Sequence, residues 1–181
     1  MSREKRIYLD LEYIHPNMGP NKGRPTAEDL RQVVQIGAIL FDHSKGEEED
    51  NLDLLTFPAY TRQLPSFFVE LTGITQKDLE QKGMDFPEGF QKLVEFCNGY
   101  PIWTFDKDQE VLEQNCGYFG IEFSLPDLVR VKPQLPEWGI DPNKYSSGTL
   151  YKAAGAEMNG HTHNALHDVR SMAAAIHIWD K

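Results

Sequence analysis

Residues 7–12 read Ile7-Tyr8-Leu9-Asp10-Leu11-Glu12, an apolar run that closes on two carboxylates one residue apart. A strand turns successive side chains to opposite faces, so positions i and i+2 point the same way. Asp10 and Glu12 therefore leave one side of a strand, with Cα atoms roughly 7 Å apart. Two anions held that close cost free energy unless a cation stands between them. A divalent metal ion meets that need. A metal site at this strand needs further ligands from the rest of the chain.

The chain has 181 residues, a length suited to one domain with a sizeable core, and residues 1–181 are read as a single domain. Its apolar share of 40% and charged share of 25% are those of a soluble globular protein. A net charge of -10 argues against a protein that coats long duplexes through a basic surface. It does not exclude a nuclease, because bound metal ions offset carboxylates where phosphate arrives. Cys97 and Cys116 are the only cysteines, and each sits beside apolar neighbours in a helical pattern. They read as buried free thiols, too few for a disulfide framework. No apolar run approaches the roughly 20 residues that span a bilayer. The segment MSREKRIYLD carries no hydrophobic signal stretch. No membrane partner and a cytoplasmic location are expected.

Outward from the first strand, residues 13–28 read as a polar loop whose Lys22 and Arg24 are positioned to approach a phosphate or simply to face solvent. Val33 to Phe41 is a buried second strand, with Gly37 marking a bulge or a close backbone approach. The acidic loop GEEEDN then leads to a third strand, Leu52–Phe57, completing an antiparallel meander. Ser66 to Leu71 is helical, and Thr75 with Asp78 forms a capping-box-like start for the next helix. Phe86, Phe90, Leu93, Val94 and Cys97 recur at helical spacing, with Pro87 in the first turn and Gly99 at the end. A short buried strand spans Tyr100 to Phe105, followed by a helix ending at Gly117. Residues 125–131 form another short helix or strand, and prolines then impose a structured loop around Trp138. Ser146 to Ala154 resumes as helix, and Ala165, Val169, Met172 and Ile176 form one stripe on the last helix. The order βββ followed by alternating α and β implies a mixed sheet with helices packed around it.

Two places offer further carboxylates. Asp106 and Asp108 stand where the fourth strand meets its helix, and Asp168 enters the final helix five residues after His163. Strand ends and helix starts hold such groups rigidly. Four carboxylates from separate elements can hold two divalent ions about 4 Å apart, which stabilise the attacking and leaving oxygens of phosphodiester hydrolysis. His163, with an ordinary pKa near neutrality, can take the proton from an attacking water. His161, His163, His167 and Asp168 also spell a zinc-like pattern, but a zinc site there leaves Asp10 and Glu12 unexplained. His167 is instead expected on the helix surface, with His161 near substrate phosphate. Asn164, Ser146 and Ser147 read as helix caps.

The chain resembles the DEDDh (DnaQ-like) family of 3′-to-5′ exonucleases. The family's Asp-x-Glu motif matches Asp10-Leu11-Glu12, and its His followed five residues later by Asp matches His163 and Asp168. The stretch FVELTGIT, Phe68–Thr75, and the last helix VRSMAAAI are also similar, so the resemblance covers nearly the whole chain. The middle motif is looser. Asp108 is followed four and eight residues later by Leu112 and Cys116, which favours it over Asp106, whose fourth following residue is Glu110. The resemblance implies an RNase H-like α/β fold with a mixed five-stranded sheet. It implies Asp10, Glu12, Asp108 and Asp168 as ligands of two Mg²⁺ or Mn²⁺ ions, with His163 as the catalytic base. It also implies release of nucleoside 5′-monophosphates from single-stranded RNA or DNA 3′ ends, with RNA slightly favoured by analogy. Phe67, Phe68 and Leu71 are candidates for a wedge against the terminal base, with at least two expected in the core. Thr72 and Gly73 would shape the nucleotide's path. A DNA repair or proofreading exonuclease and a non-catalytic regulatory protein that binds a partner are the alternatives.

Overall fold

The computed structural model of the chain describes residues 4–15 and 30–181. Lys22 and Arg24 lie outside the described residues. Three long strands come first, β1 (Lys5–Ile14), β2 (Gln32–Asp42) and β3 (Glu47–Phe57), paired antiparallel in sequence order as the meander expected. There follow α1 (Ser66–Thr72), α2 (Gln76–Lys82), β4 (Met84–Asp85), α3 (Phe86–Cys97), β5 (Ile102–Thr104), α4 (Asp108–Phe119) and β6 (Val129–Arg130). Two 3-10 segments, Lys132–Trp138 and Ser147–Thr149, precede α5 (Leu150–Ala153) and α6 (Ala165–Trp179).

The sheet has six strands in the order β4-β3-β2-β1-β5-β6, where the sequence suggests five. The difference is β4, a two-residue strand that pairs only with Thr56 and Phe57 and is too short to show a period of two. Strand β1 is interior, antiparallel to β2 and parallel to β5. The acidic stretch expected as a loop is instead the start of β3, with Glu47 opposite Asp42 and Glu48 opposite Phe41. Its charges reflect an edge position, since β4 covers only the far end of β3 and charged side chains discourage pairing with a foreign strand.

Helix boundaries follow local chemistry. The Thr75–Asp78 capping box forms at α2, and Pro87 stands in the first turn of α3. Helix α3 stops at Cys97 because Asn98 is already left-handed. Helix α4 continues through Gly117 to Phe119 and ends at Gly120, whose φ of 65° supplies the left-handed cap. The segment expected as one helix from Ser146 divides into the second 3-10 segment and α5.

Burial follows the alternation of β1. Ile7, Leu9 and Leu11 pack with Phe86, Phe90 and Leu93 of α3 and with Val111 and Leu112 of α4. Cys97 and Cys116 lie in this core as free thiols, as expected. Tyr8 faces the opposite side, where Ile39 of β2 meets Val169, Met172 and Ile176 of α6. Asp10 and Glu12 have the parity of Tyr8. The sequence alternation therefore turns both carboxylates toward α6.

Candidate active site

Gly37 sits opposite Asp10 in the β1–β2 register. A Cβ there would lie 2.5 Å from the Ala165 carbonyl carbon and 2.6 Å from the Leu166 nitrogen, so only glycine lets α6 approach this closely. The sequence offers a bulge or a close approach at Gly37; the structure has the close approach, and the irregularities in register fall at Glu12/Tyr13 and Leu40/Phe41. Gln35, opposite Glu12, fastens the junction. Its side-chain oxygen accepts from the Ala165 N–H at 3.0 Å while its amide nitrogen donates to Asp53 at 2.8 Å. Asn164 caps α6 by accepting from the His167 N–H at 3.2 Å, and Asp168 lies in the first turn. The result is a buried group in which Asp10, Glu12 and Asp168 each offer an oxygen, all within 4.8 Å of one another.

Asp108 enters from the start of α4 and lines the same cleft, a volume of about 250 Å³ that also borders Ser147 and His163. It is buried, and the Thr104 hydroxyl donates to its carboxylate. It stands outside the three-carboxylate group, although its charge acts on both Asp10 and Glu12. Asp106 lines the cleft too but is taken up by cations, with Arg130 at 2.5 Å and Lys132 at 3.4 Å. The electrostatics separate the two aspartates. Arg130 and Lys132 overcome a burial penalty and hold Asp106 below its ordinary value, whereas burial pushes Asp108 up to about 6. Burial likewise raises Asp10 well above the usual range, Glu12 to about 8 and Asp168 to about 7, with neighbouring carboxylates adding to the rise at Asp10 and Glu12. In the ionised state this is concentrated negative charge that no ion pair offsets among the described residues.

His163 borders the cleft in a left-handed conformation, φ 65°, uncommon for a residue other than glycine. Its backbone contacts the Asp168 carboxylate, so the turn that orients the imidazole also touches a candidate ligand. Burial first, then His161, lowers the His163 pKa, leaving the ring neutral and able to accept a proton at pH 7. His161 is exposed and bonds the Thr162 carbonyl. His167 is buried, contrary to the expected surface position, because its ring packs so tightly on Gly160 that a Cβ there would lie 2.2 Å away. Among the described residues no group of three possible ligands includes a histidine, so the zinc pattern is not assembled.

A second cavity of about 280 Å³ borders Gln35, Thr72, Gly73, Ile74 and Asn164, the N-cap of α6. Phe68 is core, Leu71 is half-buried and Phe67 is exposed. Sequence reasoning missed Gln35 and Thr104, polar residues within apolar strands whose burial was their only signal. It also read Ser147 as a cap; Ser146 fills that position, and the Ser147 hydroxyl donates to Asp168 at 3.1 Å.

The donor set fits a hard divalent cation. Mg²⁺ and Mn²⁺ prefer carboxylate oxygens, and Asp168 presents a buried Oδ1 with no hydrogen-bond partner among the described residues. A cation among Asp10, Glu12 and Asp168 would satisfy that oxygen and relieve the repulsion.

No family model matches the chain. It is 25% identical over 166 residues to rat 3′-5′ exoribonuclease 1, an alignment covering 84% of this chain and 47% of that protein. The chain thus spans less than half the length of that relative. Among solved structures it is similar to the nuclease domain of 3′hExo, a DEDDh family member bound to rAMP, with a TM-score of 0.82, 17% identity and coverage of 96% of this chain and 90% of that one. It is also similar to the zinc-bound E. coli ExoI–ssDNA complex, with a TM-score of 0.69, 18% identity and coverage of 97% and 40%. The class defined by these comparisons is architectural: the chain has the RNase H-like α/β fold of DEDDh exonuclease domains, a mixed sheet flanked by helices.

Proposed function

We propose that the protein is a metal-dependent 3′-to-5′ exonuclease that trims single-stranded nucleic-acid ends and releases nucleoside 5′-monophosphates. The observation that carries this reading is the buried convergence of Asp10, Glu12 and Asp168 within 4.8 Å, in a cleft shared with His163. Asp10, Glu12 and Asp168 would hold one Mg²⁺ or Mn²⁺, and Asp108 would help hold a second. Bound ions would supply the positive charge that offsets the charge developing around phosphorus. His163 takes the proton from the attacking water. Its depressed pKa keeps the acceptor nitrogen free, and its left-handed backbone aims the ring from the turn that touches Asp168. Lys107, also at the cleft, offers a charge to the incoming phosphate.

RNA is the favoured polymer, on the strength of the similar exoribonuclease and the similar rAMP-bound nuclease domain. A DNA exonuclease is the second reading, supported by the likeness to the ssDNA complex. A net charge of -10 suits short single-stranded ends better than long duplexes. The test is digestion of equal-length 5′-labelled single-stranded RNA and DNA with Mg²⁺ or Mn²⁺, by wild type, Asp10→Ala and His163→Ala. Ladders shortening from the 3′ end, lost in both variants, are expected, and relative rates choose the sugar. No cleavage of either polymer by a metal-binding wild type would refute the activity. Absence of metal binding would favour a regulatory protein.

A further inference from the structure

We propose that Ser147 is a positioning residue for the candidate metal centre: its hydroxyl binds one oxygen of Asp168 and leaves the other to face a cation. This inference rests on the metal-site reading above. It starts from a local oddity. Ser146, not Ser147, caps the 3-10 segment, trading hydrogen bonds with Thr149 in a capping box whose Ser146 N–H to Thr149 Oγ1 distance is 2.9 Å. Ser147 is therefore free of the helix start, and its Oγ reaches 21 residues along the chain to Asp168 Oδ2, at 3.1 Å. The other oxygen, Asp168 Oδ1, is buried and meets no hydrogen-bonding side chain among the described residues.

The turn is pressed onto the carboxylate. A Cβ on Gly148 would lie 2.3 Å from Asp168 Oδ1, so glycine is the residue that lets the Ser147 hydroxyl come this near. The His167 ring rests against the Gly148 backbone from the neighbouring position on α6, and the Tyr151 N–H donates to Ser171 Oγ one turn further on. The Ser147 hydroxyl also meets Asp10. One side chain on a rigid turn thus links carboxylates from the interior strand and the final helix. A free aspartate rotates about χ2 and exchanges its oxygens. With Oδ2 held, that rotation is resisted, and the carboxylate keeps an oxygen within 4.8 Å of those of Asp10 and Glu12. Outer-shell hydrogen bonds of this kind orient metal-binding carboxylates.

The test is Mn²⁺ titration, with free ion read by electron paramagnetic resonance, on wild type, Ser147→Ala, Ser147→Thr and Asp168→Asn, alongside melting of each in EDTA. Ser147→Ala is expected to bind Mn²⁺ about 10-fold more weakly with an unchanged metal-free melting temperature, and Ser147→Thr to restore affinity. Wild-type affinity in Ser147→Ala, while Asp168→Asn loses binding, overturns the positioning role alone. Equal losses in the alanine and threonine variants with lowered metal-free melting overturn it as well, in favour of a purely structural turn. Undiminished binding by Asp168→Asn overturns the underlying metal-site reading.

Discussion

Replacing Gly37 with alanine puts a methyl group where α6 already lies. The added Cβ would stand 2.5 Å from the Ala165 carbonyl carbon, 2.6 Å from the Leu166 nitrogen and 2.7 Å from the Ala165 Cβ. Non-bonded carbons settle at about 3.5–4.0 Å, so β2 and the start of α6 must separate by roughly 1 Å. Overpacking of this kind costs about 1–3 kcal/mol. At about 2–4 °C per kcal/mol for a chain of this size, the melting temperature falls by roughly 2–12 °C. The displaced backbone belongs to the first turn of α6, so Asp168 moves with it, and a misplacement of about 1 Å lowers turnover roughly 100-fold. Gly117→Ala is the matched control. Gly117 lies inside α4 with nothing within 4 Å of its ideal Cβ among the described residues, so alanine there is expected to stabilise by about 0.4–1 kcal/mol. Thermal unfolding in EDTA, Mn²⁺ titration and single-strand digestion read all three effects. A Gly37→Ala protein as stable as wild type, with undiminished metal affinity, would refute the close approach as the device that sets the site.

The other expectations concern charge and proton transfer. Asp108→Asn should reduce activity by more than the roughly 10–100-fold typical of an outer-shell residue. Asp106→Asn, which breaks ion pairs with partly exposed cations worth at most about 1 kcal/mol of stability, should keep near-wild-type activity; equal losses would reverse their assignment. Asparagine tolerates the left-handed backbone of His163, so His163→Asn should fold normally and lose about 10²–10⁴-fold in kcat, while an unchanged kcat removes the base role. Glu12 and Asp168, pushed up to about 8 and about 7, bind more protons when folded than unfolded between pH 6.5 and 8. The metal-free protein should therefore lose stability as pH rises through that window. His43, His163, His167 and His177, whose pKa values folding lowers, act in the opposite sense only below about 6.5, their unfolded value. Saturating Mg²⁺ should flatten the decline, and melting temperatures in EDTA that rise from pH 6.5 to 8 would contradict this account.

The first strand was legible because its signal is local. Alternation from Tyr8 through Asp10 to Glu12 places both carboxylates on one face without knowledge of any partner. The apolar stripe of α6 was equally plain, and Ala165, Val169, Met172 and Ile176 are all fully buried. What escaped depends on neighbours distant in sequence. Residues 47–51 look like a loop by composition, yet pairing with β2 makes them strand. His167 looks like a surface residue until Gly160 folds over it. Gln35 and Ser147 carry no motif, and their contacts to Ala165 and Asp168 exist only once β2, the 3-10 segment and α6 are docked.

The Gln35–Ala165 hydrogen bond joins residues 130 positions apart, and it fastens the helix that brings Asp168 to Asp10 and Glu12. A chain still emerging during synthesis carries the first two carboxylates long before the third. Until α6 docks, Asp10 and Glu12 have no counterpart. The centre is therefore complete only in a chain whose last helix is docked on the sheet, and a chain lacking that contact cannot assemble it. A cation that binds only the assembled group would stabilise the native state by mass action and so fasten the first strand to the last helix. A test of the fold and readiness to take up a cation would then coincide.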